Sequence, residues 1–146
     1  MEFNFQNLDG FIEDNKHYYP LKVFYEDTDA GEIVYHSNYL KYFERARTQF
    51  LIDQGISQYE LEKLDRAFVI RDINLRYITP ARLEENLIVK TSVTFISKAR
   101  LLFCQHIINV KNDTIICRGE VEVCFLDLDK SKPKPFPEKL LTIFNG

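Results

Sequence analysis

Residues 25–55 read YEDTDAGEIVYHSNYLKYFERARTQFLIDQG. The stretch changes character half-way. Asp27, Thr28, Asp29 and Gly31 favour a turn, because Asp and Thr side chains bond nearby backbone and Gly tolerates unusual dihedrals. From Tyr39 the apolar residues fall at helical spacing. Tyr39, Phe43, Ala46 and Phe50 form a stripe that Leu40 and Leu51 widen, while Lys41, Glu44, Arg45 and Gln49 face away. Ser37 or Asn38 offers a side-chain oxygen to cap the first turn. Gly55 can end the helix in a left-handed conformation. A helix over residues 38–54 with one apolar face needs one apolar surface to lie on.

The flanks supply that surface. Leu21, Val23 and Tyr25 alternate with Lys22, Phe24 and Glu26, which predicts a strand. Ser57 and Glu60 match a capping box, and Tyr59, Leu61 and Leu64 make a second, short helix. After Arg66 the apolar period becomes two, with strands expected over 68–77, 87–95, 101–110 and 115–126. Lys111-Asn112-Asp113-Thr114 is a tight turn. Arg118, Glu120 and Glu122 alternate with Cys117, Val121 and Val123, so one face of the last strand is wet. Short connections favour antiparallel pairing. A Lys/Pro loop over 130–137 precedes a last short helix carrying Leu140, Leu141 and Ile143. The expected architecture is α+β: a five-stranded antiparallel sheet wrapped around one long central helix. Residues 20–146 form that single domain. Residues 1–19 carry Phe3, Phe5, Phe11 and Ile12 without a period, so they are expected to be an N-terminal extension, in part docked or disordered.

Composition narrows the partners. The chain has 146 residues, 45% hydrophobic, with a formal net charge of −3. No global basic field invites nucleic acid. No run approaches the ~18 apolar residues of a membrane span. The acidic N-terminus is no signal peptide. Cys104, Cys117 and Cys124 are odd in number, form no CxxC and sit in apolar strands, so free thiols in a reducing cytoplasm are expected.

The turn before the helix carries the chemistry. Asp27 reads as structural, bonding loop amides. Asp29 is the better candidate. Gly31 lets a ligand approach the backbone, and the helix start offers unpaired N–H groups with about half a positive charge. A carboxylate beside such donors is the minimum apparatus for hydrolysing an acyl derivative. His36 is a cap, a packed polar residue, or, as a neutral imidazole, a donor to a carbonyl oxygen. No HExxH or Cys/His cluster suggests a metal, and no GxSxG elbow suggests a serine hydrolase. The tyrosines at 35, 39 and 42 read as core or interface aromatics. Ser97-Lys98-Ala99-Arg100, a turn between two strands, offers a local cationic patch for phosphates or is a solvated hairpin tip.

The pattern D-x-D-A-G-x-x-Y-H-x-N-Y-L-x-x-x-E-x-A-R over Asp27–Arg47 resembles the signature of the YbgC-like acyl-CoA thioesterases, in the 4-hydroxybenzoyl-CoA thioesterase group of the hotdog superfamily. FVIRDINLRYITPARLEENL resembles that family's second strand and turn, and KPKPFPEKL its C-terminal segment. The resemblance runs from about Leu21 to Leu141. It implies a hotdog fold, homodimers or homotetramers with shared sites, and Asp29 as the catalytic carboxylate. His36 would assist, with Tyr25, Gly31, Tyr35, Ser37 and Asn38 around the substrate and Lys98 and Arg100 at the coenzyme A phosphates. Coenzyme A belongs to the substrate, so no cofactor is expected; acyl carrier protein is the other possible acyl carrier. Glu32 departs from the family, where many relatives have a second small residue. Two other readings stand beside this one. One is a non-catalytic module binding acyl thioesters or a partner protein. The other is a hydratase or dehydratase, disfavoured because Asp29 and His36 are seven apart instead of five.

Overall fold

The helix that organises the molecule, α1, spans Asn38–Asp53 and buries Tyr39, Tyr42, Phe43, Ala46, Arg47, Phe50 and Leu51. Two positions differ from the expected stripe. Leu40 is 38% exposed, while Arg47 is buried. Arg47 lies four residues after Phe43 and three before Phe50, so helix geometry places it on the core face. Its Nη1 donates to Gln105 Oε1 at 2.8 Å. Neither Ser37 nor Asn38 caps the helix by side chain: Ser37 makes no such bond, and Asn38 Nδ2 instead donates to the Asp27 carbonyl.

The structure, a computed structural model, describes residues 9–145. Seven antiparallel strands form one sheet: β1 (Phe11–Glu13), β2 (Lys16–Lys22), β3 (Arg66–Tyr77), β4 (Asn86–Ile96), β5 (Leu101–Asn109), β6 (Ile115–Asp127) and β7 (Lys132–Lys134). Their order is β1-β2-β4-β5-β6-β3, with β7 also paired to β6. The five long strands are the expected sheet; β1 and β7 add three residues each at its margins. Two short helices complete the chain, α2 (Gln58–Lys63) and α3 (Glu138–Asn145). Ser57 caps α2 as expected, accepting from the Glu60 amide.

The first strand is displaced from its expected place. It occupies Lys16–Lys22, not Leu21–Tyr25, and the 19/20 boundary falls inside it. The Asp27 carboxylate accepts the Phe24 amide at 2.9 Å, which curls Tyr25–Asp27 into a 3-10 turn. Phe3 and Phe5 lie outside the described residues. On β2, His17 is fully buried. It bonds Asp53 Oδ2 through Nε2 at 2.7 Å and stacks on Phe50.

The core has two parts along α1. Tyr39, Tyr42, Phe43 and Ala46 pack with Val34, Ala81, Leu87 and Cys117 at its start. Phe50 and Leu51 pack with Leu101, Phe103, Val123 and Leu140 towards its end. Gly119 sets the approach of helix to sheet: a Cβ there would meet Leu75 Cδ2 at 2.9 Å and Phe43 Cε2 at 3.0 Å.

Candidate active site

The turn and the helix start are assembled by backbone bonds. The Tyr35 amide donates to the Asp27 carbonyl, and Thr28 bridges Val34. Beyond that rung, the Asp29 amide donates to the Ile33 carbonyl and the Glu32 amide to the Asp29 carbonyl. The tip turns through Gly31 at φ 78° and Glu32 at φ 58°. Glycine takes that conformation without strain; Glu32 takes it at a cost. A second loop clamps the first. Val34 donates to the Ala81 carbonyl and Leu83 to the Glu32 carbonyl. Tyr39 Oη, projecting from α1, accepts the Ala81 amide at 3.0 Å.

An apolar cleft of about 230 Å³ lies where these pieces meet, lined by Ile33, Val34, His36, Tyr39, Tyr77 and Pro80. His36 stands at its wall between two phenols, with Tyr35 at 4.5 Å and Tyr77 at 6.3 Å between ring centroids. Tyr77 Oη donates to the His36 carbonyl at 3.3 Å. Burial raises the pKa of both Tyr39 and Tyr77, which keeps them donors. Among the described residues the amides of His36 and Ser37 have no hydrogen-bond acceptor. The first turn of α1 carries no acidic residue. The helix start therefore presents open donors and uncompensated positive potential beside an apolar cleft.

Asp29 lies in the turn that leads to Ile33 and Val34 and is not among the residues lining the cleft. It is exposed, and its carboxylate meets no donor or cation among the described residues. It is three residue steps along the hairpin from the level of His36, roughly 10 Å at strand rise.

Comparison with known proteins decides the family. The thioesterase-like superfamily model matches residues 23–144. This chain belongs to that superfamily. Acyl-CoA thioester hydrolase YbgC of Escherichia coli is 40% identical over 126 residues, covering 86% of this chain and 93% of the relative. Acyl-CoA thioesterase YbgC of Haemophilus influenzae is 38% identical over 133 residues, covering 90% and 96%. The fold is that of a 1,4-dihydroxy-2-naphthoyl-CoA thioesterase from Synechocystis, with a TM-score of 0.83 at 21% identity over 89% of this chain and 96% of the other. The chain is thus a hotdog-fold member of the thioesterase-like superfamily.

Within this thioesterase-like chain, the other expected site residues scatter. Gly31 and Tyr35 are near the cleft residues Ile33, Val34 and His36 in the chain but are not among its walls, and Asn38 ties the helix to the turn. Tyr25 stands 78% exposed and is not part of the cleft wall. Lys98 and Arg100 occupy the β4–β5 turn, with Ser97 Oγ accepting the Ala99 and Arg100 amides. Leu101, next in the chain, packs with Phe50 and Leu51. The cationic turn therefore lies at the far end of a helix roughly 24 Å long from its own His36. Arg100 is also engaged, with Nε at 2.8 Å and Nη2 at 2.6 Å from Glu122 Oε1. Sequence reasoning missed Tyr77 and Pro80 as walls of the cleft; the signal was an aromatic at a strand end followed by Thr79-Pro80. No group of three His, Cys, Asp or Glu among the described residues is placed to hold a metal.

Proposed function

We propose that this chain hydrolyses acyl-CoA thioesters to free acid and coenzyme A. The observation that carries the reading is the open helix start: unbonded His36 and Ser37 amides beside an apolar cleft, with the exposed Asp29 in the turn that leads to it. The thioester carbonyl oxygen points at those amides, which stabilise the negative charge that develops on it, each donor contributing about 10²–10³ in rate. The His36 side chain is a further donor at the same oxygen. Asp29 then acts in one of two ways. As a base it takes a proton from water while the hydroxide adds to the carbonyl carbon; the C–S bond breaks and coenzyme A leaves as thiolate. As a nucleophile its carboxylate adds directly, thiolate leaves, and water hydrolyses the anhydride. A thiolate leaves readily, so neither route needs a metal or a strong acid. Oxygen from labelled water appears in Asp29 after a single turnover only by the second route.

The site is shared. β3 ends the sheet, with no strand on its outer side among the described residues. Tyr77, at its C-terminal end, touches His36, while Arg66, at its start, pairs with Asp127 at the opposite end. Antiparallel pairing of β3 with a second copy would set the two ends side by side. That arrangement offers the partner's Lys98 and Arg100 to coenzyme A phosphates, with acyl carrier protein as the other carrier. Three free cysteines support a reducing cytoplasmic setting.

The test is thiol release from a panel of acyl-CoAs by the wild type and Asp29→Asn. Hydrolysis is expected to fall at least ~10²-fold in the variant. Equal rates remove Asp29 from the mechanism. No turnover on any acyl-CoA or acyl-carrier thioester leaves a binding module.

A further inference from the structure

The outward positions of the sheet follow from its alternation. On β5 the odd-numbered residues from Leu101 to Asn109 are buried, so Leu102, Cys104, His106 and Ile108 face away from the core. Cross-strand register sets His106 beside Lys90 on β4 and Arg118 on β6, and Arg118 beside Arg76 on β3. Four basic residues thus stand side by side across four adjacent strands, a row about 14 Å long at ~4.8 Å per strand. At the β2 end the row continues into aromatics. Tyr18 pairs with Lys90, whose Nζ lies 5.8 Å from the ring centroid, and Phe11 stacks on Tyr18 at 5.1 Å.

No ion pair among the described residues includes Lys90, His106, Arg118 or Arg76. Further along β6, by contrast, Glu122 holds both Arg71 and Arg100. The pKa of His106 is lowered, by burial first and then by Arg118, Lys90 and Lys16. Like charges directly opposite on neighbouring strands destabilise a sheet. A chain with a formal net charge of −3 therefore lines up mutually repelling cations on one face. An anion from outside offsets that repulsion.

The neighbours of the row select the anion. On one side lies an apolar row of Pro20, Ile88, Ile108 and Ile115. On the other, Glu120 pairs with Cys104, two residues along β6 from Arg118. A flat anionic membrane would press on Glu120 as well. A chain of phosphates would leave the isoleucines without an apolar contact. An amphipathic helix, about 10 Å across, covers the basic and apolar rows, ~7 Å apart, and stops short of Glu120. Its acids, one per turn of about 5.4 Å, match the spacing of the strands.

We propose that the outer face of this sheet docks an acidic amphipathic helix of a partner protein, laid across the strands with its carboxylates on Lys90, Arg118 and Arg76 and its apolar side on Ile88 and Ile108. His106, between Lys90 and Arg118, is a further donor to the same carboxylates. The surface is separate from the cleft, and the proposal stands whether or not the chain cleaves thioesters.

Fluorescence anisotropy on the full chain tests it. The probe is a labelled helical peptide about five turns long, with a glutamate stripe beside a leucine stripe. Saturable binding is expected, weakening as salt rises. Arg76→Gln with Arg118→Gln is expected to weaken it at least ~10-fold, with a Tm equal to or above that of the wild type because the repulsion is relieved. Lys41→Gln with Lys63→Gln removes the same charge from the helices and is expected to bind as the wild type does. No saturable binding by the wild type overturns the proposal, as does equal weakening in the two double variants. Tighter binding of anionic vesicles or of a single-stranded oligonucleotide than of the peptide also overturns it, in favour of a lipid surface or a nucleic acid.

Discussion

Cys117 pairs across the strands with Tyr77, a wall of the apolar cleft. It is fully buried, and burial pushes its thiol up to about 11. Thiol reagents attack thiolate, so at pH 8 only about one part in a thousand is reactive even before access is counted. In native protein Cys117 is expected to resist a disulfide reagent at pH 8 and to react at once in denaturant. Counting released chromophore for the wild type and Cys117→Ser checks this; rapid native labelling of Cys117 would mean the cleft wall opens. At this scale the sequence was informative where the chemistry is local. Asp27, Asp29, Gly31 and His36 lie within ten residues, and their turn and helix start were legible. Arg47 was not, because charge places a residue on the wet face unless its partner, here Gln105 fifty-eight positions away, is already known.

At the scale of elements, α1 and strands β3 to β6 follow from periodicity, since 3.6 and 2.0 leave different traces. β2 escaped that test. Its inward positions are His17, Tyr19 and Leu21, and a histidine does not count as apolar until Asp53 is seen to bond it. Gly119 is a second silent position: the sequence shows a glycine in a strand, but only packing shows Phe43 resting on it. Gly119→Ala forces side chains to shift and is expected to cost about 1–3 kcal/mol, read as a lower Tm. An unchanged Tm would mean α1 can ride higher on the sheet. The β6–β7 turn adds a pH-dependent contribution. The Lys130 amide foremost, with the Arg66 cation and the Asp129 amide, holds Asp127 below the ordinary carboxylate range. A carboxylate depressed in the folded state stabilises above its unfolded pKa of ~3.9, and that contribution is lost as pH falls through the folded value. Asp127→Asn is expected to lower Tm at pH 7, with the gap to wild type closing below pH ~4. A gap that stays constant down to pH 2 would make the effect one of shape, not charge.

For the whole molecule the decisive question is what closes the sheet beyond β4. β1 pairs only with β2, and all three of its residues are exposed. β2 pairs with β4 over six residues, from His17 with Thr91 to Lys22 with Asn86. It also carries the buried bond from His17 to the last turn of α1. The N-terminal segment therefore divides in function at about residue 15. A chain starting at Lys16 loses three rungs of an exposed hairpin and is expected to melt within a few degrees of wild type, since 1 kcal/mol moves a domain of this size by about 2–4 °C. A chain starting at Val23 exposes the β4 edge, leaves Thr91 and Phe50 uncovered and removes His17, leaving Asp53 with Gln49. It is expected to lose cooperative melting by circular dichroism and to aggregate, because a bare edge strand recruits other chains. Equal melting of both truncations would mean that β2 merely decorates a sheet already complete at β4, and that the helix is held by four long strands alone.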